Sequence, residues 1–195
     1  EVVAVTPEDD PTWLTRIRFL GLRLHSLYLE TGELATLEEA IHLGKEFLDK
    51  ADEDHPGRSS QLTNISANLA LLYDRTGKTT HIDEAIYYGR ESLKTIQEED
   101  TGLEFSLGNL GTALASRSQA TGSLVDLEEA IFNARSTLKD TSEESPTRHI
   151  QLHNLASALL KRELQELGNL ADVNEENALS REALACDHSD HAHGA

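Results

Sequence analysis

The chain has 195 residues, of which 35 are acidic and 17 basic, and its formal net charge is −18. So large a negative charge argues against a nucleic acid or an anionic membrane as partner, because both would repel the protein. No stretch approaches the roughly 18 uninterrupted apolar residues of a membrane span, and no signal peptide opens the chain. The single cysteine, Cys186, excludes an internal disulfide. We therefore expect a cytoplasmic (intracellular) protein.

One phrase of five residues occurs three times at a constant interval. Its alanines are Ala40, Ala85 and Ala130, so the step is 45 residues both times (85 − 40 and 130 − 85). Self-similarity at a period of roughly 20 to 50 residues is typical of stacked supersecondary units, whose function lies on a continuous surface and not in a pocket. The three copies are Leu37-Glu38-Glu39-Ala40-Ile41, Ile82-Asp83-Glu84-Ala85-Ile86 and Leu127-Glu128-Glu129-Ala130-Ile131.

The first predicted helical hairpin covers approximately residues 11–50. Its helix A carries apolar residues at spacings of 3, 4 and 3, which place them on one face of a helix. Gly32 ends this helix, and helix B then opens with Thr36 and Glu39 as a cap-like pair. Glu38 and Glu39 would lie in the first turn of helix B, where acidic side chains are favourable. The apolar stripe of helix A is Ile17, Leu20, Leu24 and Leu27.

The second and third hairpins, approximately 56–97 and 101–140, repeat this pattern 45 residues further on each time. Gly77 and Gly122 end their A helices. Small residues recur at fixed positions of both helices, so the two helices of a hairpin are expected to approach closely and run antiparallel. These residues are Gly21, Ser66, Gly111 and Ala156 on helix A and Ala40, Ala85 and Ala130 on helix B.

The fourth hairpin, approximately 146–186, is degenerate. A one-residue insertion near Gly168 gives Ala40 the counterpart Glu176, and its helix B has the least regular pattern. We expect the four hairpins to form a single repeat domain over residues 1–195. Because the chain lacks methionine and both ends resemble connections between hairpins, we also expect it to be a fragment of a longer array.

The phrase Asn109-Leu110-Gly111-Thr112-Ala113-Leu114, followed by Glu129-Ala130-Ile131, resembles the tetratricopeptide repeat (TPR). The resemblance covers most of the chain, although the usual repeat has about 34 residues and the surplus of about 11 extends helix A and the connections. Long units of this kind resemble fungal arrays attached to CHAT protease-like or NACHT/NB-ARC-like domains. The resemblance implies an all-α, right-handed superhelical solenoid of about four antiparallel helix pairs.

The same resemblance implies a binding surface, because helix A forms the concave wall of TPR arrays. An asparagine at the same place in successive hairpins resembles the ladder with which some members hold an extended peptide backbone, since one amide offers both a donor and an acceptor. The alternative is that each asparagine bonds the neighbouring helix and only sets the packing of repeats. The first hairpin has Phe19 at this place. The candidate groove residues are Asn64, Asn109, Asn154, Thr63, Ala67, Thr112, Ser116, His153, Ser157 and Lys161, beside Gly108.

Other chemistries have weaker support in the sequence. A phosphate or carboxylate clamp would need several basic residues on this wall, and only Arg18 and Lys161 are candidates. A terminal cluster has side chains that bind zinc or nickel, but it falls in a connection between hairpins, so we predict no metal site. We also predict no cofactor and no enzyme activity. The acidic pairs are interpreted either as solvated helix starts or as a rim that attracts a basic partner. The terminal cluster is Cys186, Asp187, His188, Asp190, His191 and His193.

We therefore expect a protein-protein interaction scaffold that binds an extended peptide or protein segment in its concave groove. Two alternatives stay open. The array acts as a sensor or regulatory arm that restrains a CHAT protease-like or NACHT/NB-ARC-like effector of the parent chain, in which case the partner is intramolecular. In the other alternative it is a structural spacer or a self-association surface.

Overall fold

The computed structural model describes residues 10, 12–96, 102–143, 145, 148–163 and 174–182. Within these ranges the regular elements are α-helices and no strand occurs, which confirms the all-α prediction. The helices are α1 (Trp13–Thr31), α2 (Leu34–Lys50), α3 (Arg58–Thr76), α4 (Thr79–Thr95), α5 (Gly102–Thr121), α6 (Leu124–Asp140), α7 (Arg148–Arg162) and α8 (174–182).

The bounds of the helices follow the 45-residue step of the sequence. α3 begins and ends 45 residues after α1 (58 − 13 and 76 − 31), and α4 does so after α2 (79 − 34 and 95 − 50). α6 follows α4 by the same step at both ends (124 − 79 and 140 − 95). The odd-numbered helices are therefore the predicted A helices, and the even-numbered helices are the B helices.

The turn from helix A to helix B is built by a Thr-Gly pair. At Gly32 the backbone N–H donates to the Tyr28 carbonyl at 2.7 Å, and the positive φ of this residue suits glycine because it has no Cβ. The Thr31 hydroxyl donates to a carbonyl of its own helix, that of Leu27, and accepts from the backbone N–H of Glu33. The prediction that these glycines end helix A is confirmed. Their φ angles are 70° at Gly32, 65° at Gly77 and 73° at Gly122.

The predicted start of helix B was wrong by three residues, because the cap position of α2 is Glu33 and not Thr36 (36 − 33). α2 begins at Leu34, and the hydroxyl of Thr36 donates to the Glu33 carbonyl at 2.7 Å instead of capping a backbone N–H. Glu38 and Glu39 consequently lie beyond the first turn, where the favourable effect of the helix N-terminus fades. In α6 the cap is Ser123, whose hydroxyl oxygen accepts from the Asp126 backbone N–H.

The chain divides into two compact units, Glu1–Leu103 and Glu104–Ala195. In unit 1, α2 packs on α1, and α3 packs between α2 and α4. Because α3 has a helix on two sides, its whole apolar stripe from Leu62 to Leu72 is buried. The equivalent stripe of α1 begins with buried Ile17 and ends with Leu27, which is 40% exposed, since α1 packs mainly on α2.

Small residues bring the two helices of each hairpin close together, as the sequence predicts. The Ser66 hydroxyl donates to the Ala85 carbonyl at 2.7 Å, which requires the backbones of α3 and α4 to be near each other. A Cβ added at Gly111 would lie 3.5 Å from the Ala130 carbonyl oxygen. The A and B helices of these hairpins therefore meet at the small side chains that recur every 45 residues.

Unit 2 has its own hydrophobic core. α6 packs on α7, and Leu127 and Ile131 of α6 contact the apolar side of α7. Leu179 of α8 joins the same cluster. Among the described helices, none is at once long and apolar enough to cross a membrane.

Candidate functional site

An open cleft of about 200 Å³ lies on unit 2. Its floor consists of small buried residues, among them Gly111 of α5, Ala130 of α6 and Ala158 of α7. Polar side chains of the two A helices, α5 and α7, surround this floor. Six of the ten predicted groove residues line the cleft, and these are Thr112, Ser116, His153, Asn154, Ser157 and Lys161.

Helical spacing explains why these residues meet. Thr112 and Ser116 are four residues apart on α5, so they lie one turn apart on the same face. Asn154, Ser157 and Lys161 follow at steps of 3 and 4 on α7 and share a face in the same way. Each set borders the buried stripe of its helix, which places both sets beside the small residues of the floor.

The three predicted ladder asparagines are half-buried. Asn64 lies on α3 in unit 1, whereas Asn109 and Asn154 lie on α5 and α7 in unit 2. Within the part of the chain that the structure describes, no hydrogen bond joins any of the three side-chain amides to another residue. Asn154 lines the cleft, but Asn109 is not among the lining residues. The donors and acceptors of these amides are thus not used by the described packing between helices.

Several of the other predicted groove residues have hydrogen-bond partners within their own helix. The hydroxyl of Thr63 donates to the Ser59 carbonyl, and that of Thr112 donates to the Gly108 carbonyl, each at 3.0 Å. His153 Nε2 lies 3.5 Å from the Ser157 hydroxyl. Thr63 and Ala67 lie on α3 in unit 1, so the structure does not bring them to the cleft.

Gln151 is a lining residue that the sequence analysis missed. Its side chain is only 6% exposed, and its Nε2 lies 3.4 Å from the Glu104 carboxylate, which also accepts from the Thr141 hydroxyl. Because a carboxylate only accepts, the amide of Gln151 must turn its NH₂ toward Glu104. Its Oε1 then has no partner among the described residues. The recurrence of glutamine at positions 61 and 151, two periods apart, was the available signal.

Several acidic side chains of the B helices form ion pairs between helices. Lys45 of α2 contacts Glu84 of α4 at 2.5 Å, and Arg135 of α6 contacts Glu175 of α8 at the same distance. The two basic residues are 90 residues apart, so this pair recurs after two hairpins. Pairs of this kind on the surface contribute about 0 to 1 kcal/mol each, and here they link successive B helices.

The described groups whose pKa values shift clearly lie away from the cleft. Burial raises the pKa of the Tyr88 phenol, and hydrogen bonds from Thr12 lower the pKa of the Asp10 carboxyl, but neither residue lines the cleft. No group of three or more potential metal ligands occurs in the described ranges. The cluster from Cys186 to His193 lies outside them.

No protein-family model and no curated protein matches this chain. Among solved structures, the crystal structure of a Podospora anserina putative kinesin light chain with nearly identical TPR-like repeats is similar, with a TM-score of 0.61 at 18% sequence identity. The alignment covers 97% of this chain and 83% of that chain. A structure titled DHF58 filament aligns with a TM-score of 0.48 at 13% identity, over 94% of this chain and 96% of that one.

The likeness to the Podospora protein shows the fold of this chain, an array of TPR-like repeats. It confirms the predicted solenoid of helix pairs. At this level of identity the likeness extends to the fold alone. The right-handed superhelix and the link to fungal CHAT or NACHT proteins stay predictions.

Proposed function

We propose that this chain is a protein-interaction scaffold that binds an extended segment of a protein on the surface of its A helices. The supporting observation is the half-buried amide of Asn154, which lines the cleft of unit 2 and makes no hydrogen bond to another described residue. The TPR-like fold supports a protein partner in general terms. The bound segment belongs to a separate protein or to the parent chain itself.

Backbone recognition is the chemistry that such an amide offers. A carboxamide donates through its NH₂ and accepts through its oxygen, so it pairs with both groups of a peptide backbone whatever the ligand's side chains are. Asn64 and Asn109 repeat the same position at 45-residue steps and would supply further rungs. The hydroxyls of Ser116 and Ser157 border the cleft and add adaptable polar contacts.

The triple change of Asn64, Asn109 and Asn154 to alanine tests this proposal. Each lost hydrogen bond contributes about 0.5 to 1.5 kcal/mol net, so the affinity for a ligand identified by pull-down should fall by about 1.5 to 4.5 kcal/mol. The melting temperature should change little, because these amides make no described bonds within the protein. Isothermal titration calorimetry and a thermal melt of the same variant give both quantities.

The matched control is Gln119→Ala, which removes an exposed carboxamide near the end of α5. This control should leave both affinity and melting temperature unchanged. If the triple variant instead binds normally and melts at a much lower temperature, the asparagines hold repeats together and the proposed ladder is wrong.

A further inference from the structure

The residues of the cleft in unit 2 can be compared with their equivalents in unit 1, because equivalent hairpins are 90 residues apart. In unit 1, Nδ1 of His25 on α1 lies 2.6 Å from Oδ1 of Asn68 on α3. This hydrogen bond bridges the gap between the two A helices. The equivalent residues of unit 2 are Ala115 (25 + 90) and Ala158 (68 + 90), and both line the cleft.

Two further positions show the same difference in size. Arg18 and Leu22 of α1 have Gly108 and Thr112 as their counterparts in α5. Both of these smaller residues line the cleft. At these four positions the cleft of unit 2 is therefore lined by residues that are smaller than their equivalents in unit 1.

The size and lining of the cleft indicate the kind of group that it accepts. A protein cavity of about 150 Å³ holds a benzene molecule, and this cleft measures about 200 Å³. Its floor offers methyl groups and backbone, which stabilise an apolar group by removing it from water. A flat ring of six to nine atoms fits both the volume and the apolar floor. The residues of the floor are Gly111, Ala115, Ala130, Ala134 and Ala158.

The charged groups around the cleft are compatible with an aromatic ring. Among the described residues that line the cleft, the ionisable ones are His153 and Lys161 and none is acidic. A neutral, electron-rich ring is compatible with a nearby ammonium group such as that of Lys161.

We propose that the cleft of unit 2 accepts one aromatic side chain of the bound segment, while Asn154 at its border holds the neighbouring backbone. This inference rests on the proposed function, because the ring belongs to the segment that the scaffold binds. It adds a requirement on the partner's sequence. The partner carries an exposed aromatic residue in the segment that it presents to the scaffold.

The minimal probe is N-acetylphenylalanine amide, titrated into the isotopically labelled chain and followed by NMR. Saturable shift changes should appear at the backbone amides of Gly108 and Gly111, which line the cleft. The corresponding alanine and lysine derivatives should bind about tenfold more weakly or worse, because they cannot bury a ring. Equal binding of the alanine derivative, or shifts spread over both units, would overturn the inference.

A transplant of the unit 1 pair provides the decisive variant. Ala115→His combined with Ala158→Asn should fill the cleft and reduce binding of the phenylalanine derivative about tenfold or more. The matched control, His25→Ala with Asn68→Ala, alters the equivalent positions of unit 1 and should leave binding at Gly108 and Gly111 intact. Retained binding in the transplant would overturn the inference.

Circular dichroism shows whether the transplant keeps its helix content. If the transplant loses helix content, the Gly108→Arg variant, which copies Arg18 of unit 1, tests the inference instead. A Cβ at Gly108 would meet Gln151 only at 3.7 Å, so the backbone accommodates this change. This variant should also lose binding of the phenylalanine derivative, and normal binding would contradict the inference.

The two proposals fail separately. The derivative carries only the two amide groups that flank its ring, so its binding reports on the cleft and on Asn154 and not on an extended backbone. If the derivative binds the cleft but the triple asparagine variant binds the natural ligand normally, the ladder fails and the cleft stands. If the triple variant behaves as proposed but the derivative does not bind, only the aromatic site is wrong.

Discussion

At the scale of single residues, the periodicity of the sequence predicts which positions border the buried stripe. Thr112, Ser116 and Ser157 were selected in this way, and all three line one cleft. The cleft itself was not predictable from the same pattern. It depends on Ala115 of α5 and Ala158 of α7, which are 43 residues apart in the sequence (158 − 115) and line the same cleft. A one-dimensional period does not report the distance between two helices.

Two glycines within helices illustrate how such distances decide stability. A Cβ added at Gly44 would lie 2.6 Å from Cγ1 of Ile65, so Ile65 must shift where α2 meets α3. At Gly108 the nearest atom of Gln151 is 3.7 Å away, which is ordinary contact. We expect Gly44→Ala to destabilise relative to Gly108→Ala by about 1 to 3 kcal/mol, the usual cost of overpacking. Both variants gain the same helix propensity.

Chemical denaturation, followed by circular dichroism, measures the free energy of unfolding of the two variants. Gly108→Ala should be as stable as the parent or more stable, because alanine is favoured over glycine within a helix by about 1 kcal/mol. If Gly44→Ala is equally stable, α2 and α3 are further apart than the structure places them.

At the scale of helices and turns, most of the architecture was predictable. The apolar stripes and the Thr-Gly pairs gave the hairpins, and the positive φ of Gly32 explains why glycine stands there. The start of helix B was mispredicted because Thr36 has the chemistry of a cap but lies inside the helix. Ion pairs such as that of Lys45 with Glu84 were missed, because their partners lie 39 residues apart on different hairpins.

Arg117 and Asp126 join α5 to α6, and we expect this pair to matter more than the surface pairs. Nε and Nη2 of Arg117 donate to the two carboxylate oxygens of Asp126 at 2.8 and 2.7 Å, and the Asp126 side chain is only 7% exposed. Asp126→Asn should therefore destabilise unit 2 by about 1.5 to 3 kcal/mol, the range for hydrogen bonds to charged groups.

Glu84→Gln is the matched comparison, because it breaks the contact with Lys45, in which both side chains are well exposed. Its cost should be about 0 to 1 kcal/mol. Thermal melts monitored by circular dichroism rank the two variants. Equal melting temperatures would mean that the Arg117–Asp126 pair has no special role in joining the hairpin.

At the scale of the whole molecule, the sequence period continues across the boundary between the two compact units. α5 begins at Gly102, one residue before the strict 45-residue step, and the division falls after Leu103. Periodicity describes each hairpin locally, so it does not reveal how the hairpins group. The single repeat domain expected over residues 1–195 stays a prediction, as does the longer array around it.

The central claim is that the A helices, and not the B helices, contact the protein partner. Photo-crosslinking tests this directly, with a diazirine amino acid placed singly at Thr112 or His153 on the exposed border of the cleft. Matched positions on the B helices are Tyr87 and Phe132, which are 58% and 72% exposed. In lysate, the variants with the crosslinker at Thr112 or His153 should both crosslink to the same partner protein. The variants with the crosslinker at Tyr87 or Phe132 should not crosslink to that partner. Crosslinks of the same partner from Tyr87 and Phe132, with none from the cleft, would contradict the claim.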